Sequence, residues 1–219
     1  MREGAVLFRV AGDGTVRRMK TLFLTAVALL VSTVSPALAG APTDALKQRV
    51  DRVVQILGEP GDHRAAIRSI AHETFDFEEM ARRALGPHWN SRTPEERREF
   101  VPLFTDLLER SYIGRIEAGR GGTVAYVGES AQGDEATVRT RVTTEQRSEI
   151  PIDYRMHRKD GRWLVYDVNI EGVSLVNNYR SQFNSVIQSS SFAALLDRLR
   201  AKEPDAAASP APAKRSRRD

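Results

Sequence analysis

Between Val124 and Ile170 the chain keeps a period of two, and on both sides of that stretch the period is helical. Val124 and Tyr126 alternate with other residues, and Val138, Thr140 and Val142 alternate with Thr137, Arg139 and Arg141. Ile150, Ile152, Tyr154 and Met156 alternate with Pro151, Asp153, Arg155 and His157. Leu164, Tyr166, Val168 and Ile170 alternate with Trp163, Val165, Asp167 and Asn169. Successive side chains on a strand point to opposite faces, so four such segments predict an antiparallel meander with one apolar, even-numbered face. Asp160-Gly161 supplies the turn of the last hairpin. One apolar face needs a cover, and the flanking segments provide it.

Leu46, Val50, Val53, Val54 and Leu57 are spaced for a helix over 43–57, ended by Gly58-Glu59-Pro60-Gly61. Asp62 is the expected cap of a second helix through Ile67 and Ile70. Asp76, with Glu79 three residues on, has the spacing of a capping box for a third that stops at Gly86-Pro87. Thr93-Pro94-Glu95-Glu96 combines an N-cap threonine, proline at the first helical position and glutamate at the third. The helix it starts presents Phe100, Phe104, Leu107, Leu108, Tyr112 and Ile116, with Pro102 a source of a kink. Beyond Gly172 the helical period returns through Val173, Val176, Tyr179, Phe183 and Ile187, then Phe192, Leu195, Leu196 and Leu199. Helices, a four-stranded meander, then helices make an α+β domain: helices packed on one face of a curved antiparallel sheet. A chain of 219 residues is one such domain.

The two ends read differently. Arg17, Arg18 and Lys20 precede an apolar run from Thr21 to Val34, Ser35-Pro36 breaks it, and Ala37-Leu38-Ala39 is a small-x-small cleavage site. That order is a secretory signal peptide over residues 1–39; the run is too short for a span of ~20 apolar residues. Met19 is a natural start, which leaves 1–18 as an upstream extension. The mature domain is expected at 40–203, soluble and exported, followed by a disordered Ala/Pro/basic tail over 204–219.

Charge argues against nucleic acid. The chain is +4, but residues 1–39 and 214–219 each carry +3, which leaves 40–213 at −2. A nucleic-acid binder shows its basic patch on the domain itself. Absence of cysteine excludes disulfides, thiolate metal sites and a cysteine nucleophile.

Catalytic constellations are not marked. His63, His72, His88 and His157 form no His-Glu-x-x-His pair. Ser174 has Val176 where a nucleophile elbow needs glycine, and reads as a helix N-cap. Gly119–Gly122 is not followed by Lys-Ser/Thr, so it is no phosphate loop. What remains is large apolar and tyrosyl side chains: Phe104, Leu107, Leu108 and Tyr112 on one helix; Val142, Ile152, Tyr154, Tyr166 and Val168 on the sheet; Val173, Val176, Tyr179 and Phe183 after it. They make either a solid core or the lining of an apolar cavity, and periodicity does not separate the two.

Trp163 to Phe183, with Asp167, Gly172-Val173-Ser174 and Asn178-Tyr179-Arg180, resembles the C-terminal signature of the periplasmic phospholipid-carrier family of the Mla (maintenance of lipid asymmetry) pathway, the MlaC or toluene-tolerance family. Phe75-Asp76-Phe77, Met80-Ala81, Ala84-Leu85-Gly86, Trp89 and the helix from Thr93 to Phe104 are similar to its upstream segments. The resemblance implies a cone-like fold similar to nuclear-transport-factor-2-like (NTF2-like) domains, with acyl chains in an apolar cavity lined by the thirteen residues above. It implies a carrier without cofactor, metal or catalysis. Its partners would be a glycerophospholipid, an inner-membrane ABC-transporter lipid complex and an outer-membrane lipoprotein complex. Arg180 is then either a phosphate contact at the mouth or a surface helix arginine. Two alternatives stay open: a hopanoid-related lipid as cargo, and a small periplasmic enzyme on the same scaffold. The enzyme needs inward polar groups, whereas the inward sheet positions hold Val, Ile, Leu, Tyr, Met and one Thr.

N-terminal sequencing of exported protein should begin at Gly40; residues 1–39 still attached would reject the cleavage site.

Overall fold

A computed structural model describes residues 41–202. The expected leader and basic tail lie outside the described residues. The order is α1 (Ala41–Gly58), α2 (Arg64–Thr74), α3 (Phe77–Leu85), a 3-10 turn (Gly86–Ser91), α4 (Pro94–Ala118), β1 (Thr123–Gln132), β2 (Glu135–Thr143), β3 (Glu149–Lys159), β4 (Arg162–Ile170), β5 (Val173–Ser174), α5 (Leu175–Ser189) and α6 (Phe192–Ala201). The domain is α+β, with helices on one face of an antiparallel sheet in the order β1-β2-β3-β4-β5.

The sheet has five strands instead of four. Glu171 and Gly172 both take positive φ, 52° and 87°, and turn the chain back so that Val173 and Ser174 pair with Ile170 and Asn169. A glutamate in the left-handed region is not a recognisable hairpin signal, so the sequence hides this turn. Asp160 and Gly161, at φ 50° and 75°, form the expected tight turn between β3 and β4.

Helix starts follow local chemistry. The Thr93 hydroxyl accepts the Glu96 amide at 3.2 Å, and the Glu96 carboxylate accepts the Thr93 amide at 2.8 Å, a complete capping box. Asp76 accepts the Glu79 amide at 3.1 Å, but the Glu79 carboxylate does not return the bond. It accepts from Arg82 and Arg83 instead, each at 2.6 Å. The cap of α2 also differs: His63, not Asp62, is the N-cap residue, while Asp62 accepts the Arg64 amide at 3.0 Å.

Two β-bulges decide what faces inward. On β1 the register slips between Tyr126 and Gly128. On β4, Val168 opposes Tyr154 and Asp167 opposes Arg155, but Val165 opposes Met156, so Tyr166 is the extra residue. An extra residue reverses the facing of everything beyond it. Val165 and Trp163 therefore join the inner cluster, while Leu164 and Tyr166 leave it. Strict alternation along β4 is corrected by this bulge.

Asp76 ties helices to sheet. Its amide donates to the Val165 carbonyl at 2.9 Å. Its carboxylate, almost fully buried, accepts from Lys159 at 2.9 Å and contacts His157 at 3.1 Å. Burial works to raise the Asp76 carboxyl, but the Lys159 ammonium and the Glu79 amide outweigh it and hold it below the usual range. Burial likewise opposes ionisation of Glu79, yet Arg82 and Arg83 bring it down to about 2. Both carboxyls are depressed, so the stability they contribute is complete above the unfolded values, 3.8 and 4.5. It is lost as pH falls through the folded ones. Thermal melting should be flat from pH 7 to about 5 and decline from about 4.5 toward 2. Asp76→Asn should cost about 2 kcal/mol at pH 7 and shrink that decline; an unchanged acid profile in the variant would contradict the assignment.

Candidate functional site

α1, α2, α3 and α5 lie close on the sheet, whereas α4 packs on α2, α3 and α6. Side chains bridge from α4 toward the inner face. Phe100 and Phe104 of α4 meet Tyr179 and Phe183 of α5, with Phe104 edge-on to Tyr179 at 5.4 Å and to Phe183 at 5.5 Å. Phe100 stacks on Phe104 at 5.7 Å and is edge-on to Phe183 at 5.6 Å. Of the thirteen residues picked from the sequence, Phe104, Leu107, Leu108, Val168, Val176, Tyr179 and Phe183 are buried together in one cluster.

The remaining six are dispersed. Tyr112, Ile152 and Tyr154 are half-buried and pack against the cluster, as do Val50, Tyr126 and Ile170. Val142 and Val173 are half-buried outside it. Tyr166 is placed elsewhere: the β4 bulge turns it out, under the Arg83 guanidinium at 4.0 Å and edge-on to His157 at 5.5 Å. Tyr126, Ile170 and Val50 were legible as apolar helix or strand positions, but nothing in their spacing marked them as rim. Trp163 and Val165 could not be found by alternation, because no glycine or proline advertises the bulge.

Phenols lie among the apolar side chains of the interior. Burial pushes the Tyr179 and Tyr154 hydroxyls up to about 12, and that of Tyr126 higher still. They stay neutral through the physiological range.

Buried acids have structural partners. Asp167, 3% exposed, accepts the Ser174 hydroxyl at 2.7 Å and the Val176 amide at 3.1 Å, with Arg155 at 3.6 Å. Ser174 in turn accepts the Asn177 amide at 3.1 Å, so it is the N-cap of α5. The Trp-x-x-x-Asp and Gly-Val-Ser motifs thus meet as a relay that starts α5 on the end of β4. Glu109 bonds Arg68 at 2.7 Å and His72 at 3.0 Å. His63 contacts the Glu59 carbonyl at 2.8 Å and His88 the Asn184 side chain at 2.9 Å. Arg180 donates to the Arg83 carbonyl at 2.9 Å, clasping α5 to the end of α3. A Cβ at Gly86, φ 55°, would lie 3.2 Å from the Arg180 side chain, so glycine permits that approach.

A depression of about 230 Å³ between α2 and α4 is lined by Arg64, Arg68, Glu109, Arg110, Ile113 and Gly114. Three arginines and an acid make it unsuited to hydrocarbon. No three described residues of the metal-ligating types cluster as a metal site. No helix among the described residues is long and apolar enough to cross a membrane.

These features define an α+β domain with an apolar, phenol-dotted interior, its ionised groups engaged at element junctions. The chain belongs to the MlaC protein family, whose model matches residues 43–201. It is similar to the intermembrane phospholipid transport system binding protein MlaC of Haemophilus influenzae, 26% identical over 129 residues, 57% of this chain and 60% of that protein. The chain thus spans somewhat under two thirds of that relative's length. It is also similar to the toluene tolerance protein ttg2D of Pseudomonas putida, 22% identical over 151 residues, 68% of this chain and 70% of that protein. A solved phospholipid-binding protein from Ralstonia solanacearum, in complex with a phospholipid, matches with a TM-score of 0.64 and 28% identity, over 73% of this chain and 94% of that one.

Packing separates the candidates into two energetic groups. Phe104→Ala should destabilise by about 3–5 kcal/mol, as for a filled core. Ile152→Ala, at the half-buried rim, should cost under about 2 kcal/mol. Denaturant unfolding of the two variants measures this, and equal losses would erase the distinction between core and rim.

Proposed function

We propose that the protein is a periplasmic carrier. It binds glycerophospholipid acyl chains in an apolar space between α4 and the inner sheet face and moves lipid between inner- and outer-membrane complexes, so maintaining outer-membrane lipid asymmetry. The observation that carries this is the large apolar core together with the half-buried apolar side chains packed against it, Val50, Tyr112, Tyr126, Ile152, Tyr154 and Ile170 among them. Side chains of that kind at the edge of a closed core are suited to hold hydrocarbon. The family, and relatives described as phospholipid-binding, support the same reading.

The physics requires a sheath. A diacyl lipid has ~30 methylenes, and at ~0.8 kcal/mol each their exposure costs ~24 kcal/mol. A carrier crossing water must enclose the tails almost wholly, while the head group can stay hydrated. This accounts for an interior of phenols and aliphatics, without a marked anion pocket. We read it as a carrier and not an enzyme because the buried carboxylates Asp76, Asp167 and Glu109 are engaged in caps and ion pairs. An inner-membrane ABC-transporter lipid complex and an outer-membrane lipoprotein complex are the proposed partners, and the signal peptide over 1–39 the proposed export route.

Native mass spectrometry of protein exported in a Gram-negative host should show an adduct of glycerophospholipid mass that organic extraction removes. Deletion of 204–219 should leave the adduct intact, because that tail has no apolar periodicity. Protein that is folded yet free of lipid, in the full chain, would overturn the carrier reading.

A further inference from the structure

Besides the Glu129 carboxylate, which accepts the Thr43 amide of α1 at 2.9 Å, the inner sheet face carries three hydroxyls on β1, β2 and β3. Tyr126 is opposite Thr140, Thr140 is opposite Ile152, and Tyr154 follows two residues later, opposite Val138. Thr140 is 1% exposed, and its hydroxyl donates to the Ile152 carbonyl at 3.0 Å. The Tyr154 hydroxyl lies beside Thr140. Tyr126 differs. Its ring packs against the core, and the Lys47 ammonium sits 5.6 Å from the ring centre. Its hydroxyl oxygen is buried and has no hydrogen-bond partner among the described residues.

Buried polar atoms in folded proteins nearly always have a partner, because an unmade bond there leaves the desolvation cost of the group uncompensated. A phenol held inward at the edge of the core, with none from the protein, is a donor waiting for a ligand acceptor. Between the phosphate and the tails of a glycerophospholipid, the only strong acceptors are the two ester carbonyls. They carry no proton, so they need a donor, and the neutral phenol is one. A fused-ring hydrocarbon such as a hopanoid skeleton presents nothing to that hydroxyl.

Building on the carrier reading, we infer that Tyr126 donates a hydrogen bond to an ester carbonyl of the bound lipid and so makes the site selective for ester-linked lipids over ether-linked or ring-hydrocarbon ones. A site that hydrogen-bonds its ligand discriminates strongly against an analogue lacking the acceptor, because its own polar group is then left unpaired. One such bond corresponds to about a tenfold preference.

The test uses exported protein stripped of lipid and offered an equimolar pair: dioleoyl phosphatidylglycerol and the dioleyl ether analogue with the same head group. Native mass spectrometry reads the ratio bound. Wild type should favour the ester about tenfold. Tyr126→Phe, which removes one oxygen, should melt close to wild type, take up both lipids and lose the preference. Tyr166→Phe, on the outer side beneath Arg83, should keep it. Equal binding of both lipids by wild type overturns the inference, and so does a preference that survives Tyr126→Phe or disappears in Tyr166→Phe. Wild type that takes up neither lipid overturns the carrier reading itself, a different outcome from equal uptake of both.

Discussion

The rest of the molecule depends on how α4 is held relative to the sheet. Phe100 and Phe104 interlock with Tyr179 and Phe183 at centroid distances of 5.4–5.7 Å, mostly edge to face. Each such pair contributes about 0.5–1.5 kcal/mol beyond the area it buries. The stack fixes α4 to α5 from the side, and α5 is itself fixed to β4. Half-buried Tyr112, Tyr126, Ile152 and Tyr154 pack against the core that this stack belongs to.

Buried carboxylates sit at junctions between elements, where each meets its partners. Asp167 and Ser174 start α5 at the end of β4. Asp76 joins the α2–α3 junction to β3 and β4, and Arg180 closes α3 against α5. Each is a charged or capping group whose lone pairs and protons are met by backbone or an opposite charge, the condition for burying it without large loss. With helix placement handled there, inner-face positions are free to be apolar, which suits a ligand made mainly of methylenes. The residues that look most like a motif, Asp167 and Gly172-Val173-Ser174, are thus joints of the scaffold.

Much of this was readable from local chemistry. The Thr93 box, the Asp76 and Ser174 caps and the alternation along β2 and β3 each stand on short-range rules, and each appears in the structure. Long-range features were not readable. The bulge that expels Tyr166 and admits Val165 carries no compositional mark. The left-handed Glu171 conceals a fifth strand. Arg180 reads from the sequence as either a phosphate contact or a surface arginine, and its bond to a carbonyl 97 residues away in sequence carries no local signal. The same limit applies to depth: Phe104 and Ile152 are both apolar and both inward, and only the fold shows that the first is buried and the second half-buried.

The central claim is that lipid tails lie between α4 and the inner face of the sheet. Crystals of the protein loaded with a phospholipid brominated along both acyl chains would place the tails by anomalous scattering. The account predicts bromine peaks bordered by Tyr112, Ile152 and Tyr154. Peaks on the outer face beside Tyr166, or in the arginine-lined depression between α2 and α4, would contradict it.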